Sequence, residues 1–324
     1  MGRALKVFAG FWAVLVVAGC TTLPHQVKGF SIPPLEIVFQ TQGFPYTSDS
    51  TLGFVSADGS QVVRESTAPL SPIFEPAWRS DGKAILFTDS YTHILSLVQE
   101  DGRILTWPHI HGAGRVISVG EGEVLVKGFD GGSRPWFYLQ RVTLDKGEVV
   151  RTYLAAPFWS VGTRPLEGAW LVYSQWWYAN KKASRPAVAQ LILLNLETGE
   201  KKTLLQVKQK WLMNPSFSPD GRWIAYVSTD GLYRIPIDGG LSQRLTALRH
   251  YWGTAFHTWP PNFAWSPDGH YIVYHQCVRQ YGACTTEVKD YALFVLDLNT
   301  GEERLLVRGG VNPDWRPPIV TQGR

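Results

Sequence analysis

The chain has 324 residues, 44% of them apolar and only 18% charged, which excludes a disordered or low-complexity polymer. Its formal net charge is +4, with no block of like charge, so nothing points to nucleic acid. Its 31 Gly and 21 Pro predict frequent turns, and 14 Trp is a high count for a residue that binding surfaces over-use.

The first element is a leader. Arg3 and Lys6 give a basic start, and Val7 to Ala18 is almost wholly apolar. A dozen such residues would span about 18 Å as a helix, short of the ~30 Å hydrocarbon core, so they read as a secretory signal. Val17-Ala18-Gly19-Cys20 closes the run and resembles the bacterial lipobox, in which the Cys thiol is acylated and becomes the mature N-terminus. The alternative is an ordinary signal peptide with a chance Cys. The resemblance implies residues 1–19 as the leader and Cys20 as the lipid attachment point. It also implies residues 20–34 as a short tether. Thr21 is neutral, as is usual for lipoproteins sent to the outer membrane of Gram-negative cells, where the protein would face the periplasm. Losing Arg3 and Lys6 lowers the formal charge by two units.

Short strand and turn elements then follow in chain order. Leu35–Gln40 is a single strand, and Leu52–Arg64 folds back about Asp58-Gly59. Pro76-Ala-Trp78-Arg-Ser-Asp81-Gly82 leads into the apolar Ala84–Phe87, and Ile94–Leu105 turns at Asp101-Gly102. Arg141–Arg151 turns at Lys146-Gly147, and Leu191–Leu205 at Thr198-Gly199. Pro215-Ser-Phe217-Ser-Pro-Asp220-Gly221 repeats the aromatic start, with Leu232–Leu245 after it, turning at Asp238-Gly239. Phe263-Ala-Trp265-Ser-Pro-Asp268-Gly269 repeats it again, with Leu293–Leu306 after it, turning at Thr300-Gly301. The aromatic enters a core from the first strand, Asp-Gly supplies the turn, and the second strand returns. Hairpins recurring every roughly 40 to 50 residues have the period of four-stranded propeller blades. The expected fold is all-β: a six-bladed β-propeller over residues 35–318, with a tail at 319–324. Val311-Asn-Pro313-Asp-Trp315-Arg-Pro317 has the aromatic start without a second strand. It is expected to complete the blade begun at Leu35, which would remove an aggregation-prone edge.

The Ser-Pro-Asp-Gly-Arg/His-x-Ile turns and the Leu-Asp-Leu-x-Thr-Gly-Glu hairpin resemble the WD-type repeats of the TolB-like propellers. The resemblance spans nearly all of the mature chain and implies a fold rather than an activity. The tether leaves no room for the α/β domain that precedes the propeller in the founding member.

Catalytic motifs are missing: there is no Gly-x-Ser-x-Gly, His-Glu-x-x-His, Cys-x-x-Cys, P-loop or EF-hand loop. The aspartates before Gly read as turn formers. His109-Ile-His111 would present two imidazoles on one side of a strand, with His250, His257 and His275 as conceivable partners, but no matching carboxylates accompany them. No cofactor is expected. Cys277 and Cys284 would close a disulfide in an oxidising envelope, or else stay as free, partly buried thiols. Trp107, Trp159, Trp211, Trp252 and Trp259 are placed in links between blades, and Trp176, Trp177 and Tyr178 at the start of a long link within one. In a four-stranded blade these links share one face. Trp107, Trp159, Trp176, Trp177, Tyr178, Trp252 and Trp259 are therefore candidates for a partner-binding surface, the alternative being wedges between blades. The expected function is non-catalytic binding of an envelope protein, peptide or glycan, on a membrane anchor. The alternative is a metal-dependent lyase or hydrolase at the channel mouth.

Overall fold

The structure, a computed structural model, describes residues 25–28, 34–41, 51–65, 73–89, 92–112, 114–119, 122–129, 137–156, 158–161, 170–179, 186–248, 261–279 and 287–318. In chain order, β1 (His25–Lys28) precedes β2 (Ile37–Thr41), β3 (Thr51–Val55) and β4 (Val62–Glu65) of blade 1. Blade 2 holds β5 (Ile73–Trp78), β6 (Ala84–Asp89), β7 (Ile94–Gln99) and β8 (Arg103–His111). Blade 3 holds β9 (Ile117–Ser118), β10 (Glu123–Phe129), β11 (Phe137–Thr143) and β12 (Val149–Ala156). Blade 4 holds β13 (Phe158–Val161), β14 (Trp170–Trp177), β15 (Val188–Asn195) and β16 (Lys201–Lys208). Blade 5 holds β17 (Leu212–Phe217), β18 (Trp223–Ser228), β19 (Gly231–Pro236) and β20 (Gln243–Thr246). Blade 6 holds β21 (Phe263–Trp265), β22 (Tyr271–Cys277), β23 (Tyr291–Asp297) and β24 (Glu303–Arg308), and β25 (Val311–Trp315) ends the set.

These strands form six antiparallel sheets, the all-β six-bladed propeller that the repeats predict. Blade 1 has the order β25-β2-β3-β4, so the C-terminal strand is its innermost strand and closes the ring. Ile37 pairs with Trp315 and Val38 with Asp314. The Arg316 amide then donates to Glu36 O, its Nε donates to Gly82 O at 2.7 Å, and its guanidinium lies 4.6 Å from the centre of the Trp78 ring. The end of the chain thus clasps blade 2 as well.

One aromatic per repeat seals a seam to the preceding blade. Trp78 of blade 2 meets Phe54 of blade 1 edge-on, with centroids 6.4 Å apart. Trp315 of blade 1 stacks on Tyr271 of blade 6 at 6.5 Å. Trp265 and Phe217 join the apolar cluster that blades 4, 5 and 6 share. Such ring contacts add about 0.5–1.5 kcal/mol each beyond the area they bury.

The turn chemistry follows the sequence. Asp81, Asp220 and Asp268 each accept from the backbone N–H two residues on, at 2.9, 3.0 and 3.0 Å. Asp58 and Asp101 do the same for Ser60 and Arg103. These five carboxylates are turn formers.

The prolines of the aromatic starts mark a feature that the pattern does not reveal. Glu75, Asn214 and Asn312 each stand before a Pro with φ of 47°, 47° and 52°. Each lies where the pairing of the innermost strand shifts register. Pro offers no N–H to the ladder, so the strand bulges there and re-aims its side chains.

One other element was unforeseen. Within the expected tether, β1 pairs antiparallel with β8 and gives blade 2 a fifth, outermost strand.

Candidate functional site

Strand order defines two faces. The linker face carries the passages between blades and from second to third strands, and the turn face carries the Asp-Gly turns.

The axis is lined by the innermost strands. Near the turn face, Ala77, Ser216, Ala264 and Asp314 occupy the same place in four blades, between the Pro or Phe and the aromatic. Three of them are small and leave a cavity of about 40 Å³. Arg115, from the approach to β9, fills the rest of the space. It forms an ion pair with Asp314, and the two side chains are only 9% and 13% exposed. Its Nη1 also donates to Phe263 O at 3.4 Å, and Asp314 Oδ2 accepts from the Trp78 amide at 2.7 Å. Arg115 therefore bridges blade 3 to blades 1 and 6 across the axis. The remaining space would take a few waters but falls far below the roughly 300 Å³ of a substrate-sized pocket.

Closer to the linker face, Glu75 accepts from the Arg115 amide and lies near Lys127. Burial pushes the Glu75 carboxyl up, against the pull of Lys127 and Arg115, and pushes the Lys127 ammonium down, against the pull of Glu75. Asn214 Nδ2 donates to Pro261 O at 2.8 Å, and Asn312 Nδ2 donates to Gln40 Oε1 at 3.1 Å. This polar lining was missed in the sequence. Its signal was the residue preceding each repeat Pro.

The candidate aromatics separate into three groups. Trp107 corrects the sequence reading: it lies inside β8, fully buried in the core between blades 2 and 3. It packs over the Lys146-Gly147 turn of blade 3, where Gly147 has φ of 67° and any Cβ would collide with the Trp107 ring. Trp176 is likewise a wedge, 8% exposed. Its Nε1 donates to Leu212 O at 2.9 Å, and its ring meets Trp211 edge-on at 4.4 Å. Trp177 and Tyr178 differ: they follow directly, at the linker-face end of β14, and each is 42% exposed. Tyr178 meets Trp211 edge-on at 6.0 Å, and partial burial raises its phenol pKa. The backbone of Trp159 lies in β13. Its side chain, and Cys20, Trp252, Trp259 and Cys284, lie outside the described residues.

The histidines are held by backbone. His109 Nε2 donates to Gly147 O at 2.9 Å, and His111 Nδ1 donates to Thr92 O at 3.0 Å. Buried His275 accepts at Nδ1 from the amides of Asn262 and Asn312, joining blade 6 to blade 1. His250 and His257 lie outside the described residues. Among the described residues no three His, Cys, Asp or Glu gather as metal ligands would. Cys277 is disulfide-bonded. Among the described residues no helix is long and apolar enough to cross a membrane.

No family model and no curated protein matches the chain. Solved structures do. A TolB-like protein from Agrobacterium tumefaciens superposes with a TM-score of 0.58 at 17% identity, over 82% of this chain and 92% of that one. The nidogen/laminin complex gives 0.62 at 10% identity, over 87% of this chain and 98% of that one. A puromycin hydrolase gives 0.53 at 17% identity, over 90% of this chain but only 54% of its own. At these identities the likeness is one of fold.

Proposed function

We propose that this propeller is a non-catalytic binding module of a bacterial envelope, anchored by lipid on Cys20, that holds a protein, peptide or glycan partner against the linker face of blade 4. In a Gram-negative cell its place is the outer membrane, facing the periplasm. The observation that carries the reading is the pair Trp177 and Tyr178. Two large aromatics, adjacent in sequence, stand half exposed at the end of β14, and Tyr178 rests edge-on against Trp211, which packs on the buried Trp176. The buried base under Tyr178, and the regular strand that carries Trp177, let a partner gain contact area at little entropic cost. The axial cavity near the turn face is too small to compete for such a partner.

The test is capture of partners from envelope extracts by the full chain and by Trp177→Ala/Tyr178→Ala. Loss of about 2 kcal/mol or more, some thirtyfold in affinity, is expected for a hot-spot pair. Unchanged recovery of every partner would refute this face. Trp176 is unsuitable as a probe, because its removal damages the seam between blades.

A further inference from the structure

We infer that β1 makes the rim of blade 2 the membrane-proximal edge of the propeller. The inference rests on the Cys20 anchor proposed above.

Without β1, the first described strand after Cys20 would be β2, which starts at Ile37, seventeen residues on. A leash of that length reaches about 60 Å when extended. A compact chain of this size has a radius of gyration of ~19 Å and is therefore roughly 50 Å across. Such a leash would let any part of the molecule meet the lipid. The β1 pairing removes that freedom. His25 is fixed opposite Thr106, and Lys28 opposite Arg103, on β8, the fourth strand of blade 2. Only five residue steps then separate the acylated position from the sheet, a reach of about 18 Å.

Several acyl chains hold firmly, so the short leash sets where the molecule sits. Blade 2 stays beside the bilayer, and blade 5, directly across the ring of six, is free to stand away from it. The aromatic pair of blade 4 lies two blades from the pivot and remains open to the periplasm. The partner of this rim is the lipid surface itself, held by proximity. β1 acts as a clamp that shortens the tether by pairing with the open edge of β8, the same hydrogen bonding by which peptides add to sheets in trans.

The test uses the full chain on phosphatidylcholine/phosphatidylglycerol vesicles that carry headgroup energy acceptors. A donor dye is placed at Lys146, whose turn abuts β8 through His109, or at Leu241, 94% exposed in blade 5. Transfer at Lys146 should exceed that at Leu241 by about twofold or more, since the two stand up to roughly 50 Å apart. A Gly-Ser insertion of about fifteen residues after Thr22 restores the long leash without touching β1, and should erase the difference. Val27→Pro, at the partner of Ile104, should erase it too and speed amide exchange at Arg103–Thr106. Mass spectrometry of Cys20 separates the two levels. An unacylated Cys20 overturns the anchor and this inference together. An acylated Cys20 with equal transfer from both dyes overturns this inference alone.

Discussion

Asp58 shows what a single turn residue contributes. The Ser56 hydroxyl, then the Ser60 amide and hydroxyl, donate to its carboxylate and lower its pKa to about 2. The same turn geometry lowers Asp101, Asp220 and Asp268, and lowers Asp81, where burial works against Arg79 and the Lys83 amide. A carboxylate whose folded pKa is depressed stabilises the fold above its unfolded pKa, near 4, and ceases to as the pH falls through the folded value. The melting temperature should therefore hold down to about pH 4 and drop between about pH 4 and pH 2. Ser56→Ala should move the Asp58 titration, followed by carbon NMR of its carboxyl, towards the ordinary aspartate value. A titration that stays near pH 2 would show that the Ser56 hydroxyl is not the main cause. These residues were legible because an Asp-Gly turn is decided within four residues of chain.

At the level of strands, the seams between blades hold most of the information that the sequence hid. Trp107, Trp176 and Trp177 look alike in sequence, each an aromatic near the end of an apolar run. Their fates differ because burial is decided by the neighbouring blade. Trp107 meets Gly147, Trp176 meets Trp211, and Trp177 remains 42% exposed. Trp176→Ala should destabilise the fold by about 3–5 kcal/mol, read from denaturant unfolding, through loss of the seam between blades 4 and 5. Trp177→Ala should change stability by no more than about 0.5 kcal/mol. Similar losses for both would mean that Trp177 is structural. β1 was hidden for another reason. His-Gln-Val-Lys carries no pattern of its own, and becomes a strand only because the edge of β8 is there to pair with. The repeat hairpins were legible because each brings its own alternation and turn.

Across the whole molecule, Arg115 and Asp314 form a strut that no local pattern announces, since 199 positions separate them. The strut ties blade 3 to the closing strand of blade 1. Both side chains are nearly buried, so removing one leaves a charge without its counterpart. Asp314→Ala should cost about 3–5 kcal/mol, and Arg115→Met with Asp314→Leu should recover most of it. Equal losses in the single and double variants would show that the pair acts through its packing instead. Ring closure has a consequence for synthesis. Among the described strands β25 is made last and β2 nearly first, yet they are hydrogen-bonded neighbours. A chain emerging N-terminus first can fold blades 2 to 6 in turn, but blade 1 must wait with the inner edge of β2 bare until Trp315 has appeared. A chain interrupted before Val311 would therefore carry every other described strand and still leave the ring open. The bare strand is the kind of surface that chaperones and proteases engage. Supplying the inner strand of blade 1 from β25 makes ring closure wait until synthesis has passed Trp315.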